Sequence, residues 1–343
     1  MSKKNVGLIG YGYWGPNLHR NFAVNPGFRV AMIADTRPAR LERARQLDAN
    51  LQTTTSGEAI TDHPEIDLVV IATPVASHYP LAKRAIQQGK HVLVEKPFCA
   101  TTEEAEELVR LAKAQGVQVL VDYTYLFTGA VRMIQEIHQS GELGKISYYD
   151  STRVNLGLFQ PDVNVLWDLA PHDFAILDFL FGEEPILIDA TGYCHVNPHL
   201  PDIVYITMHF ASSMVAHFNL SWMSPVKVRR TLIGGDAKML VWDDLNNDQK
   251  LKIYSSGITV QQEHKRSVII PEYRIGDIFS PRVPNNEALA AMVEHCRQVI
   301  DGETAAEIGG DRGIRITRLL ERTQIILDRN LETVAALRKG NTP

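Results

Sequence analysis

The sequence predicts an α/β chain in two parts: a doubly wound parallel sheet, then an α+β part with an open, mostly antiparallel sheet flanked by helices. Three observations predict it. Strand-like and helix-like stretches alternate through the first ~120 residues, the pattern of a parallel sheet with helices on both faces. A glycine-rich turn joins the first strand to the first helix. Beyond residue 122 short strands follow one another across short turns, which is antiparallel texture. At 343 residues the chain exceeds one domain of ~100–200 residues. The boundaries read as 1–122 and 123–343, with a last helix free to pack back on the first part.

The first strand, Val6–Ile9, runs into Gly10-Tyr11-Gly12-Tyr13-Trp14-Gly15, which fits G-x-G-x-x-G. Gly10 permits a sharp turn closed to other residues. Gly12 leaves room for a pyrophosphate against the main chain, and Gly15 lets the next helix pack near the sheet. That helix, opened by Pro16 and Asn17, offers free N–H groups and a positive dipole end to an anion. Phe28–Ala34 reads as the second strand, and Asp35 closes it about 20 residues past the glycines, where a ribose-binding acid is expected. A carboxylate accepts from both ribose hydroxyls and repels a 2′-phosphate. NAD is therefore expected over NADP, with Arg37 and Arg40 nearby weakening the preference. As bare structure, 10–15 would be an ordinary turn and Asp35 a helix cap. Strand, glycines, helix, strand and acid in this order favour a Rossmann dinucleotide site.

The remaining elements follow in order. Asp67–Ala72 is continuously apolar, as a sheet covered on both faces requires, and Thr73-Pro74 ends it. His78–Gln88 is a helix with Leu81, Ala82, Ala85 and Ile86 on one face, stopped at Gly89. His91–Val94 is a strand ending in Glu95-Lys96-Pro97. Thr101 and Glu104 have capping-box spacing before a helix ended by Gly116, and Val117–Val121 is the sixth strand. In the second part, helices are expected at 130–138, 166–181, 286–300 and 313–328. Strands are expected at 145–154, 186–193, 203–210, 214–220, 227–233, 238–242 and 250–254, and residues 338–343 read as a frayed tail.

Composition bounds the function. Hydrophobic residues make up 45% of the chain, enough for two cores, and the formal net charge of −5 is spread without long blocks. Neither nucleic acid nor an acidic membrane surface is called for. No apolar run reaches the ~18 residues of a membrane span. The start of the chain leads straight into a strand without a signal-peptide core. Cys99, Cys194 and Cys296 are widely separated, so they read as reduced thiols in a cytoplasmic protein.

Two constellations carry chemistry. Lys96 stands at the carboxyl end of a parallel strand, the edge where ligands bind in open α/β sheets. There a lysine can hydrogen-bond a substrate hydroxyl and hold its developing oxyanion, with Glu95 offsetting its charge and Pro97, cis or trans, fixing the chain beyond. The bland alternative is a solvated ion pair. In Trp167-Asp168-Leu169-Ala170-Pro171-His172-Asp173, a helix starting near Asp168 would put Asp168 and His172 on one face, with Pro171 tolerated in the first turn. The imidazole suits proton transfer with a hydroxyl, and the carboxylate can orient it. The alternative is a capping Asp and a structural His. The same pair would serve a metal, but only His195 and His199 are candidates for a further ligand, and no metal is expected. Arg153, Asn155 and Asn164, with Phe159 in the same stretch, can hold polyol hydroxyls or a phosphate, or simply form a polar loop. Tyr123 and Thr124 are similarly placed beyond the sixth strand.

Four segments together resemble the glucose-fructose oxidoreductase, inositol dehydrogenase and MocA (Gfo/Idh/MocA) family. They are the 10–15 motif, Ala72-Thr73-Pro74-Val75-Ala76-Ser77-His78, Gly89–Pro97, and Asp168 with His172. The likeness covers nearly the whole chain. It implies a Rossmann domain followed by a substrate-binding and oligomerisation domain, and a homodimer or homotetramer paired through sheet faces. It implies that Lys96 touches the reacting hydroxyl, that His172 is the acid/base and that Asp168 is its substrate-side neighbour. Gly10, Gly12, Tyr13, Trp14 and Gly15 would surround the cofactor, Asp35 its adenosine ribose, and Thr73, Pro74, His78, Glu95 and Lys96 its nicotinamide half. Asn164-Val165-Leu166-Trp167 replaces the glycine-rich run of many sugar and inositol dehydrogenases, and the following segment resembles the nucleotide-sugar branch of surface-polysaccharide biosynthesis. The expected activity is NAD-dependent oxidation at C3 of a nucleotide sugar such as UDP-N-acetylglucosamine, or the reverse ketone reduction. The alternatives are a free-sugar or inositol dehydrogenase, a redox-neutral NAD-dependent glycosidase, and a non-catalytic dinucleotide-binding regulator.

Overall fold

The computed structural model describes residues 3–48, 51–157, 159, 163–262 and 269–340. The chain forms two compact units, Met1–Phe127 with Asn286–Glu321, and Thr128–Asn285 with Arg322–Pro343.

The first unit begins β1 (Lys4–Ile9), α1 (Gly15–Val24), β2 (Phe28–Ala34), α2 (Pro38–Leu47), β3 (Gln52–Thr54) and α3 (Glu58–Thr61). It continues through β4 (Leu68–Ile71), α4 (His78–Gln87), β5 (His91–Val94), α5 (Thr102–Gln115) and β6 (Val119–Val121). Its six strands lie in the order β3-β2-β1-β4-β5-β6, all parallel, so the order reverses outward from β1. The apolar strands explain themselves: every residue of β4 is buried, because helices cover both faces. Thr101 caps α5, its Oγ1 accepting from Glu104 N at 3.2 Å, but the Glu104 carboxylate reaches back one residue further than a capping box requires, accepting from Ala100 N at 3.1 Å. Gly116 closes α5 in the left-handed region, φ 68°.

The second unit holds α6 (Gly129–Gln139), β7 (Ile146–Leu156), α7 (Val165–Phe181), β8 (Leu187–Tyr193), β9 (Ile203–His209), β10 (Val215–Ser221), β11 (Met223–Gly235), β12 (Met239–Asp243) and β13 (Leu251–Tyr254). Then come β14 (Gly257–Gln262), β15 (Ile269–Arg274) and β16 (Ile278–Phe279). Eight of these strands form one sheet, β16-β13-β12-β11-β7-β10-β9-β8. Only β7 and β10 pair parallel; the other neighbours are antiparallel. β14 and β15 make a separate two-stranded pair that periodicity did not predict. The chain ends with α8 (Ala288–Ile300) and α9 (Gly310–Gly340). Helix α9 extends well past the expected 313–328, and Arg338, expected to fray, lies over the Tyr193 ring at 4.4 Å. Residues 341–343 of the expected tail are outside the described residues.

α7 starts earlier than expected, so Pro171 sits inside the helix and not in its first turn. The carbonyl of Trp167 therefore has no N–H four residues on. Among the described residues no helix is long and apolar enough to cross a membrane.

Candidate functional site

In the first unit, the carboxyl edge of the parallel sheet opens into a cleft of about 660 Å³. Ile9, Gly10, Ala34, Asp35, Thr36, Arg40, Ala72, Thr73 and Pro74 line it, with Ser56, Lys83 and Arg84 farther out. The glycines are demanded by geometry. Gly10 has φ +99°, and a Cβ there would stand 2.3 Å from the Ala72 carbonyl oxygen. A Cβ on Gly15 would stand 2.5 Å from the Gly10 carbonyl oxygen. At Gly12 an added Cβ would meet only the Arg40 guanidinium, no nearer than 3.6 Å, so the main chain there is open to close approach. Helix α1 has no acidic residue in its first turn and no side-chain cap at Trp14. Tyr13 and Trp14 project outward beside it, 77% and 45% exposed, edge to face.

Asp35 is buried at the end of β2. One carboxylate oxygen accepts from Tyr11 N at 2.7 Å and from the Arg40 guanidinium at 3.1 Å; the other accepts from Arg37 N at 2.8 Å. Burial pushes this carboxyl up, but the two backbone donors and Arg40 outweigh it and hold it below the usual range. It is therefore ionised at neutral pH. Of the two arginines flagged in the sequence, Arg40 is the one that pairs with it, while Arg37 contributes its N–H. A glycine turn that a Cβ would fill, an uncapped helix N-terminus and a buried ionised acid together fit a dinucleotide.

Two implied cofactor contacts stand behind the cleft wall. His78 is fully buried: its Nε2 lies 2.8 Å from the Thr73 carbonyl and its Nδ1 lies 2.9 Å from the Pro97 carbonyl. The ring thus ties the turn after β4 to the turn after β5, while Thr73 and Pro74 themselves face the cleft. Glu95 is also buried, with a carboxylate oxygen accepting from Lys96 N at 3.2 Å. Its neighbour on the next strand is Asp122, the residue after Val121, which pairs with Val94. Burial, then the Asp122 charge, pushes the Glu95 carboxyl well above its ordinary range; burial pushes Asp122 up as well. Lys96 is half-buried at the end of β5, and the Lys96–Pro97 peptide is cis. Tyr123, expected to meet substrate, is 1% exposed and belongs to the core.

In the second unit, Asp168 and His172 are half-buried and one turn apart on α7. Asp168 accepts from Trp222 Nε1 at 3.1 Å, a contact across 54 residues that no local pattern announces. The three polar residues expected to bind substrate have other partners. Asn164 is the N-cap of α7: its Oδ1 accepts from Trp167 N at 3.2 Å, and its Nδ2 donates to Gln324 at 2.8 Å. Arg153 is buried in a two-point ion pair with Asp173, at 2.8 and 3.0 Å. Asn155 Nδ2 donates to the Leu156 carbonyl at 3.0 Å. Phe159 packs edge to face on Trp222. Asp122, Asp173, Trp222 and Gln324 went unflagged in the sequence because each acts through a partner that only the fold supplies. Among the described residues no group of three or more His, Cys, Asp or Glu is arranged to hold a metal ion.

Comparison with known proteins agrees with this geometry. Residues 4–123 match the oxidoreductase family, NAD-binding Rossmann fold, and residues 131–241 match the GFO/IDH/MocA C-terminal domain. Oxidoreductase YdgJ of Escherichia coli is 34% identical over 52% of this chain and 53% of its own length, so the chain matches about half of that relative. UDP-N-acetylglucosamine 3-dehydrogenase of Acidithiobacillus ferrooxidans is 29% identical over 75% of this chain and 79% of that one. Its solved structure superposes with TM-score 0.80 at 25% identity, covering 96% of this chain and 99% of the other. The NADP-dependent scyllo-inositol 2-dehydrogenase IolW of Bacillus subtilis is 24% identical over 92% of this chain and 91% of its own. With both of its matched stretches in chain order, the protein belongs to the GFO/IDH/MocA family of oxidoreductases, and its first domain is that family's NAD-binding Rossmann fold.

Proposed function

We propose that this protein is an NAD-dependent dehydrogenase acting on a secondary alcohol of a sugar, with C3 of a nucleotide-linked hexose such as UDP-N-acetylglucosamine as the favoured substrate. The observation that carries this reading is the company Lys96 keeps. Its strand ends on the same carboxyl edge as the glycine turn and the buried, ionised Asp35. NAD, when bound, supplies the hydride acceptor. Asp35 would hold the adenosine ribose and, being charged, would disfavour a 2′-phosphate. Lys96 would donate to the oxygen of the reacting hydroxyl and stabilise its developing charge. His172 would take the hydroxyl proton, with Asp168 beside it fixed by Trp222. Ketone reduction uses the same groups in reverse.

The likeness to the Acidithiobacillus enzyme over most of both chains supports the nucleotide-sugar substrate. The likeness to IolW over nearly the full length of both favours a second reading, a free polyol substrate. The test follows NADH formation with UDP-N-acetylglucosamine, related nucleotide sugars, free hexoses and inositols, on wild type, Lys96→Met and His172→Asn. Turnover only with the nucleotide attached supports the first reading, and equal turnover without it selects the second. Normal turnover in both variants would remove Lys96 and His172 from the chemistry. We also propose a homodimer or homotetramer, which sedimentation of the full chain tests.

A further inference from the structure

We propose that Tyr11 and His19 form a buried tether that holds the glycine turn in register with Asp35, and that His19 is a positioning residue for the dinucleotide although it does not line the cleft. The proposal rests on the reading of Asp35 as the acceptor of the adenosine ribose.

Tyr11 stands between the first two glycines of the motif, a position at which G-x-G-x-x-G specifies no side chain. It is held at both ends. Its backbone N–H donates to one Asp35 carboxylate oxygen at 2.7 Å, the same oxygen that accepts from Arg40 at 3.1 Å. Its side chain is enclosed, at 2% exposure, and the hydroxyl lies 2.9 Å from Nδ1 of His19. His19 is 5% exposed and sits on α1, one turn on from Gly15. A Cβ on Gly15 would stand 3.2 Å from Tyr11 Cδ2, so the ring lies against the start of that helix. The side chain of Tyr11 is thus tied to α1 and its main chain to the end of β2.

Both groups of the tether are neutral. Burial raises the phenol above its ordinary range, with Arg43 opposing, so it keeps its proton. Burial lowers the His19 ring below its ordinary range, with Asp48 opposing. A protonated phenol beside a neutral imidazole closes one hydrogen bond in either ring tautomer. A buried hydroxyl without a partner is costly, so this bond fixes the ring. The ring fixes the Tyr11 N–H, and the N–H fixes the Asp35 oxygen that it meets. Without the tether, turn and acid sample other arrangements, and NAD affinity falls in proportion to the fraction that stays competent. Loss of one neutral hydrogen bond lowers that fraction by about fivefold.

Calorimetric titration of the full-length protein with NAD alone tests this, beside thermal unfolding of each variant. Tyr11→Phe and His19→Leu are each expected to bind NAD about fivefold more weakly. His19→Asn is expected to stay within about twofold of wild type, because its amide closes the bond to the phenol in either orientation. A packing role predicts the reverse order, since leucine fills more of the enclosed space than asparagine. In an Asp35→Ala background, adding Tyr11→Phe is expected to change affinity less than about twofold, because the tether acts through that carboxylate. Tyr11→Phe deletes one oxygen and decides the matter should His19→Leu fail to fold. Wild-type affinity in Tyr11→Phe, a milder effect of His19→Leu than of His19→Asn, or a full fivefold loss on top of Asp35→Ala overturns the tether. If Asp35→Ala loses affinity while Tyr11→Phe keeps it, the tether alone is wrong. If Asp35→Ala binds NAD as wild type does, the ribose reading is wrong and the tether falls with it.

Discussion

Arg153 separates two accounts of the second unit, and Arg153→Met decides between them. The sequence places Arg153 among substrate contacts; the structure commits it to Asp173. The guanidinium and carboxylate are 5% and 1% exposed and joined at 2.8 and 3.0 Å. Two unit charges ~4 Å apart at an effective dielectric of ~20 attract by about 4 kcal/mol. Breaking such a pair on one side costs roughly 3–5 kcal/mol, because the orphaned charge stays buried. Asp173 would keep the Ser151 hydroxyl, which donates at 3.2 Å, but no cation in its place. At roughly 2–4 °C per kcal/mol for a unit of this size, the melting temperature should drop by about 6–20 °C. Tryptophan fluorescence suits the assay, since Trp167, Trp222 and Trp242 lie in the second unit and only Trp14 in the first. The Arg153→Met/Asp173→Leu double variant removes both charges and should recover most of the loss. A single variant that melts within about 1 kcal/mol of wild type, or a double variant no better than the single, refutes the structural account. Lost turnover at unchanged stability would restore Arg153 as a substrate contact.

Four further outcomes follow from the first unit. Gly10→Ala should weaken NAD binding by about tenfold or more in a fluorescence titration, since φ +99° and the 2.3 Å approach to the Ala72 carbonyl leave a side chain no room. Asp35→Ala should cost NAD about 10–100-fold in affinity, the effect of losing hydrogen bonds to a charged group, and raise NADP binding relative to NAD as Arg40 is released. Tighter NADP binding by the unmutated protein would defeat that account. His91 is held neutral, because burial lowers its pKa and its Nδ1 accepts from Gln118 N at 3.0 Å. The unfolded chain takes up a proton at about pH 6.5 while the folded chain resists, so stability should fall as pH drops below that point, and less steeply in His91→Asn. Thr101→Ala removes the cap of α5 and should cost about 1 kcal/mol in chemical unfolding.

The parts of the site read most directly from sequence are those whose chemistry is local. The glycine turn, Asp35 and the Thr101 cap are decided by a few neighbouring residues and by a strand whose apolar run is visible. Asp122 shows where that reach ends. It is one more acid at a strand end until β6 is set beside β5, and only then does it stand next to Glu95. Arg153 and Asn164 are the converse. Each looks like a ligand contact because it is polar and near the Asp168–His172 turn, yet each satisfies a buried demand created elsewhere, the charge of Asp173 and the open N-terminus of α7. A buried polar group without partners is costly, so a fold claims such residues first for its own interior. Lys96, Asp168 and His172 are half-buried, while Glu95, Asp122, His78, Arg153 and Asn164 are enclosed. Enclosure alone does not separate the two groups, since Asp35 is as buried as these and still lines the cleft.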